Sequence, residues 1–149
     1  MPNSQDLKQA GLKTTLPRLR ILAVLEEDKK RHFTAEEVYK SLLDAGEEIA
    51  FATVYRVLTQ FENAGLVLRH NFEGGRSVFE LDDGEHHDHM VCAKCNTVTE
   101  FYDAAIEERQ KRVAEHYDFE LQDHSLYLYG ICASCRASWP RNDCLASLF

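Results

Sequence analysis

A chain of 149 residues holds one ordinary hydrophobic core or two small ones, so a second domain has to draw stability from metal or from a partner. A net charge of -8 argues against indiscriminate nucleic-acid binding through a basic surface. There is neither a cleavable leader pattern nor an apolar run long enough to cross a bilayer, so the chain is expected to be soluble and cytoplasmic, without a membrane partner. The charge is unevenly spread: residues 1–82 carry 11 Lys+Arg against 13 Asp+Glu, a balance of -2, while residues 83–149 carry 6 against 12, a balance of -6.

In chain order, Thr15 before Pro17 predicts a helix with Ile21, Val24 and Leu25 at helical spacing, ending in the charged stretch 26–31. Thr34 followed by Glu37 is a capping-box pattern, opening a second helix whose stripe of Ala35, Val38, Tyr39 and Leu42 stops at Gly46. A third helix from Thr53 carries Val54, Val57, Leu58 and Phe61 on one side and ends at Gly65. Its other side presents Arg56, Thr59, Gln60 and Asn63, with Tyr55 on the flank, side chains suited to base edges. Two strand-like runs, 66–70 and 77–81, surround a turn containing Gly74 and Gly75. Three helices followed by a hairpin predict a winged helix-turn-helix domain over 1–82. The bland alternative is a helical mini-domain whose polar face is merely solvated.

The polar joint Asp82-Asp83-Gly84-Glu85 precedes a shift to histidine, cysteine, acidic residues and β-formers. Strands through 90–92 and 98–101, a helix over about 103–116 and a strand over 125–132 predict a small α+β domain spanning 83–136, for an α+β chain in all. The tail, 137–149, has no readable role, and its Cys144 reads as an ordinary thiol.

Five cysteines in a reducing compartment are not a disulfide set, and four form Cys92-x-x-Cys95 and Cys132-x-x-Cys135. Two such turns brought together make the tetrahedral sulfur set of a structural zinc site. The 36 intervening residues exceed the usual zinc-ribbon spacing, but they hold a whole helix and strand, so the turns can meet across a sheet. A redox Cys-x-x-Cys normally occurs once and opens a helix, which makes it the weaker reading.

In His86-His87-Asp88-His89, alternation on an extended backbone sends His87 and His89 to one face and His86 and Asp88 to the other. That implies two metal sites, with further ligands sought among His32, Glu80, Glu107 and His124; His70 and His116 read as ordinary histidines. Imidazole and carboxylate without sulfur accept Fe(II), Mn(II), Co(II) or Zn(II), so cellular supply decides the occupant.

With these residues assembled, the first 136 residues resemble the ferric uptake regulator family of bacterial metal-dependent repressors. The matching motifs are Gly-Leu-Lys before Thr-Leu-Pro-Arg within 11–18, Ala-Thr-Val-Tyr-Arg-Val-Leu at 52–58, His-Asn-Phe-Glu-Gly-Gly at 70–75, the 86–89 run, and Ser-Leu-Tyr-Leu-Tyr-Gly at 125–130. The resemblance implies structural zinc on Cys92, Cys95, Cys132 and Cys135, an interdomain sensory site of His32, Glu80, His87 and His89, and a dimerisation-domain site of His86, Asp88, Glu107 and His124. It implies that Tyr55 and Arg56 touch DNA from the recognition helix while Lys13 reaches the minor groove. Arg18 and Thr53, inside the same matching motifs, complete the candidate DNA-binding set. Glu80, where a peroxide-sensing relative is expected to carry Asp, favours iron sensing. The tail departs from the family's often histidine-rich ends.

The expected protein is therefore no enzyme but a homodimeric repressor, with tetramers left open, that binds operator DNA when loaded with Fe(II) and controls iron uptake genes. Metal tying two domains together would set the spacing of recognition helices to successive major grooves, about 34 Å apart. A zinc- or manganese-sensing member of the family is the nearest alternative. A metallohydrolase is disfavoured because no nucleophile or base stands out, and a metal buffer because it has no use for a DNA-reading helix.

Overall fold

The computed structural model describes residues 4–27 and 32–138. The described residues form two compact units that divide between Glu85 and His86.

The amino-terminal unit consists of α1 (Ser4–Gln9), α2 (Leu16–Leu25), α3 (Ala35–Asp44), α4 (Phe51–Asn63), β1 (Val67–Phe72) and β2 (Arg76–Leu81). Helix α2 starts where expected, with Thr15 as N-cap and Pro17 in the first turn, but it stops at Leu25; part of the charged stretch assigned to its end, 28–31, lies outside the described residues. Helix α1 is an addition to the three expected helices. Six residues with Leu7 as their single buried side chain give no periodic signal, and Leu7 is nevertheless fully buried in the core. The apolar stripes of α2, α3 and α4 meet there, with Ile21, Val38, Val54, Leu58 and Phe61 all at 0% exposure.

The capping box forms as the sequence predicts. Thr34 Oγ1 accepts from the Glu37 N–H at 3.1 Å, and Glu37 Oε1 accepts from the Thr34 N–H at 3.2 Å. Thr34→Ala removes one half of that reciprocal pair at a position almost closed to water, and should cost about 1 kcal/mol. A lower denaturation midpoint at unchanged metal content checks this; an unchanged midpoint would show that the cap contributes nothing.

Helix α4 ends at Gly65, whose φ of 78° suits a residue without Cβ. The Gly65 N–H donates to the Glu62 carbonyl at 3.1 Å and the Leu66 N–H to the Phe61 carbonyl at 2.9 Å, which turns the chain directly into β1. Strands β1 and β2 pair antiparallel, with Val67 opposite Leu81 and Phe72 opposite Arg76. An isolated bridge from Phe33 to Phe79 attaches this wing to the entrance of α3.

The second unit consists of β3 (Asp88–Cys92), β4 (Val98–Phe101), α5 (Ala104–His116), β5 (Tyr127–Gly130) and α6 (Ala133–Ser138). The sheet order is β4-β3-β5, antiparallel between β3 and β4 and parallel between β3 and β5. Asp103 caps α5, accepting from the Ala105 and Ile106 N–H groups. Strand β3 begins two residues earlier than expected, β5 is shorter than the 125–132 run, and α6 occupies a segment read partly as tail. The rest of the tail, including Cys144, lies outside the described residues. Helix α5 buries no residue, while Val113, Tyr117, Phe119, Leu128 and Tyr129 leave apolar surface exposed.

Candidate metal centres and nucleic-acid interface

The four paired cysteines come together at one end of the sheet, their sulfurs all within 4.8 Å of one another. Parallel pairing of β3 with β5 sets Cys92 beside Gly130, two residues before Cys132, which closes the gap of 36 residues. Cys95 Sγ lies 3.7 Å from Cys132 Sγ, close to the roughly 3.8 Å edge of a tetrahedron with 2.3 Å zinc–sulfur bonds. All four are free cysteines.

Their protonation is uneven. The N–H groups of Cys132 and Cys95, each 3.4 Å from Cys92 Sγ, hold that thiol's pKa down at about 6. Cys95 is also lowered, chiefly by the Thr97 hydroxyl 3.0 Å away. Cys135, beside the Cys132 sulfur and partly buried, is pushed up to about 12. So many sulfurs this close cannot all ionise unaided; a divalent cation lets them, and the donor set fits zinc.

The second cluster lies on the other end of β3. Asp88 is 1% exposed, and neither of its carboxylate oxygens has a well-formed hydrogen bond. Its Oδ1 lies 3.3 Å from His86 Nε2 and 3.6 Å from His124 Nε2, and Glu107 Oε1 lies 3.2 Å from each of those imidazole nitrogens. A buried carboxylate without hydrogen bonds is costly unless a cation compensates it, and two imidazoles with two carboxylates supply a four-ligand set, all within 4.8 Å.

The opposite face of the same run brings the His87 and His89 rings to 4.8 Å between centroids, with His87 Nε2 3.4 Å from Glu100 Oε1. In the amino-terminal unit, Glu80 is 1% exposed and its two oxygens each take an imidazole at 2.7 Å, His32 at Oε2 and His70 at Oε1. The sequence reads His70 as an ordinary histidine and gives Glu100 no role, whereas His70 is buried against Glu80 and Glu100 lies beside His87. The signal lies in strand register: His70 pairs with Val78, placing Glu80 on its diagonal, and Glu100 faces His89 directly. His116 stays exposed in the last turn of α5.

On α4, Tyr55 and Arg56 are exposed and Thr53 is half-buried; Lys13 is exposed in the loop before α2. Thr59 and Gln60 are less available than the helix pattern implies. Thr59 Oγ1 donates to the Tyr55 carbonyl at 3.0 Å, and Gln60 Oε1 accepts from Arg18 Nη2 at 3.0 Å. Arg18 also donates through Nη1 to the Lys13 carbonyl at 2.8 Å, so its fork ties the Lys13 loop to α4.

A winged helix with an exposed Tyr-Arg pair, together with clustered metal-ligand side chains, is the arrangement of a metal-responsive transcription regulator. The model of the ferric uptake regulator family matches residues 9–129. The chain is similar to the ferric uptake regulation protein of Legionella pneumophila, 61% identical over 136 residues that make up 91% of this chain and all of that one. It is similar in structure to the ferric uptake regulator of Vibrio cholerae, with a TM-score of 0.83 at 60% identity, covering 88% of this chain and all of that one. A manganese-containing ferric uptake regulator of Pseudomonas aeruginosa matches with a TM-score of 0.74 at 55% identity, over 89% and 99% of the two chains. The chain belongs to the ferric uptake regulator family, and it is a metal-dependent transcriptional repressor.

Proposed function

We propose that the chain represses iron uptake genes by binding operator DNA as a homodimer in the cytoplasm when loaded with Fe(II). The buried Asp88, set among His86, His124 and Glu107, carries the metal dependence most directly, since its desolvated charge calls for a cation. In this reading Cys92, Cys95, Cys132 and Cys135 hold structural zinc, and His86, Asp88, Glu107 and His124 hold one regulatory ion. His32 and Glu80 share a second regulatory ion with His87 and His89, an assignment drawn from the family motifs. Mn(II), Co(II) or Zn(II) can substitute. Dimerisation through residues 83–136 is supported by the apolar surface around α5 and β5, which a partner would cover.

The DNA surface is Lys13, Arg18, Thr53, Tyr55 and Arg56. Ala50 gives α4 no side-chain cap, which leaves first-turn N–H groups for a phosphate. Arg56→Ala and Tyr55→Ala should each weaken operator binding about tenfold or more, leaving metal content and dimerisation unchanged. Lys13→Ala should also flatten the salt dependence by about one phosphate contact. Unchanged affinity in all three variants would place the DNA on another surface.

Operator binding measured against Fe(II), Mn(II) and Zn(II), with bound metal quantified, tests the whole reading. Tightest binding with Fe(II) at cellular concentrations is the expected result. Binding that responds to Zn(II) or Mn(II) but not to Fe(II) would give those ions the regulatory role instead.

A further inference from the structure

Arg69, on β1 of the wing, is enclosed by the recognition helix on one side and the wing's own core on the other. Its side chain is 17% exposed. Nη1 donates to Tyr55 Oη at 3.2 Å, Nη2 donates to Thr59 Oγ1 at 3.1 Å, and Nε lies 3.4 Å from Glu62 Oε2. The guanidinium carbon stands 4.8 Å above the Phe79 ring centroid and 5.5 Å from that of Tyr55. Tyr55, Thr59 and Glu62 follow i, i+4, i+7 spacing, so one planar fork grips a single stripe of α4 across two turns.

The direction of these bonds matters. The Thr59 hydroxyl spends its hydrogen on the Tyr55 carbonyl, so it meets Arg69 as an acceptor. Tyr55 Oη likewise accepts from Arg69, because a guanidinium has no lone pair to offer. The phenol's own hydrogen is then left to donate elsewhere, from a residue that is 45% exposed. We infer that Arg69 is a positioning residue for sequence readout: it holds the Tyr55 phenol in one orientation and makes its hydroxyl a donor, selecting an acceptor on the DNA such as purine N7, guanine O6 or thymine O4. This rests on the reading that Tyr55 meets the operator. The arrangement separates Arg69 from an ordinary phosphate contact, since its charge is already paired with Glu62 and largely covered.

The test uses the full-length, zinc-containing chain loaded with Mn(II). The probes are a duplex selected from random sequence by the wild-type protein and a shuffled duplex of equal composition. Arg69→Lys keeps the charge near Glu62 and the apolar stem but loses the planar fork. It should lower affinity for the selected duplex about tenfold, leaving shuffled-duplex affinity, salt slope and bound metal unchanged. Tyr55→Phe should show a similar loss, and the double variant Arg69→Lys/Tyr55→Phe little more than either alone, because both remove the same oriented donor. Additive losses, or equal losses on both duplexes, would overturn the inference. So would full binding by Arg69→Lys or Tyr55→Phe while Tyr55→Ala is weakened. If Tyr55→Ala itself binds at full strength, the underlying reading of the DNA surface fails and this inference fails with it.

Discussion

Cys92→Ser is expected to yield a protein without bound zinc, without a stable dimer and without a cooperative thermal transition in its carboxy-terminal unit. The sulfur of Cys92 is the hub of the cysteine cluster: it is 4% exposed, and the Cys95 and Cys132 N–H groups both point at it. A hydroxyl there removes a thiolate ligand and shortens the reach to those donors. Structural zinc sites contribute about 10–16 kcal/mol in small domains, comparable with the whole stability of a typical domain, about 5–15 kcal/mol. A sheet of three short strands, in a unit whose longer helix buries no residue, has little else to hold it. Cys95→Ser should be milder, because Cys95 is exposed and its sulfur also lies 3.0 Å from the Thr97 hydroxyl. Zinc content by emission spectroscopy, sedimentation and calorimetry measure the three consequences together. A Cys92→Ser protein with stoichiometric zinc and an unshifted melting temperature would sink the four-sulfur assignment.

His89→Ala is expected to abolish the metal response of DNA binding while leaving the dimer intact. The backbone at this position is held independently of the ring: the His89 N–H donates to the Leu126 carbonyl at 3.2 Å, and the residue pairs with Glu100 and Tyr127 in the sheet. Truncation therefore removes an imidazole without removing the strand. On the proposed assignment it deletes a ligand from the ion that His32 and Glu80 share with His87 and His89, so added Fe(II) no longer tightens operator binding. Coupling free energies of about 1–3 kcal/mol correspond to a loss of roughly 5- to 150-fold in metal-induced affinity. His86→Ala, on the other face, should leave that ion's ligands in place and blunt the response less. Anaerobic footprinting of both variants across an Fe(II) titration discriminates them; an equal loss in both would remove the basis for separate roles.

Much of this could be read from spacing because the relevant periods are short. Val54, Val57, Leu58 and Phe61 announce α4, and all four are buried. Thr34 and Glu37 announce the start of α3 and make the reciprocal bonds that the pattern requires. The alternation through 86–89 anticipates which side chains cluster: His87 with His89, and His86 with Asp88. What escaped the sequence is nonlocal. Arg18 and Arg69 look like surface cations, yet each closes hydrogen bonds to α4, across 42 positions to Gln60 and 14 to Tyr55. The pairing of His70 with Glu80 depends on wing register, which hydrophobic pattern alone does not set to the residue. Helices α1 and α6, six residues each, are too short for a helical period to emerge.

Strand β3 carries Asp88 at its first residue and Cys92 at its last, so two ligand sets share one five-residue strand. Side chains in a strand change face at every step, and deleting or inserting a single residue between Asp88 and Cys92 would turn one set away from its partners while leaving the other in place. Substitution at position 90 is a different matter: Met90 is exposed, and its side chain belongs to neither set. That one position is therefore free to drift, whereas the length of the interval is not, and it behaves as a fixed ruler between the histidine-carboxylate cluster and the cysteine cluster.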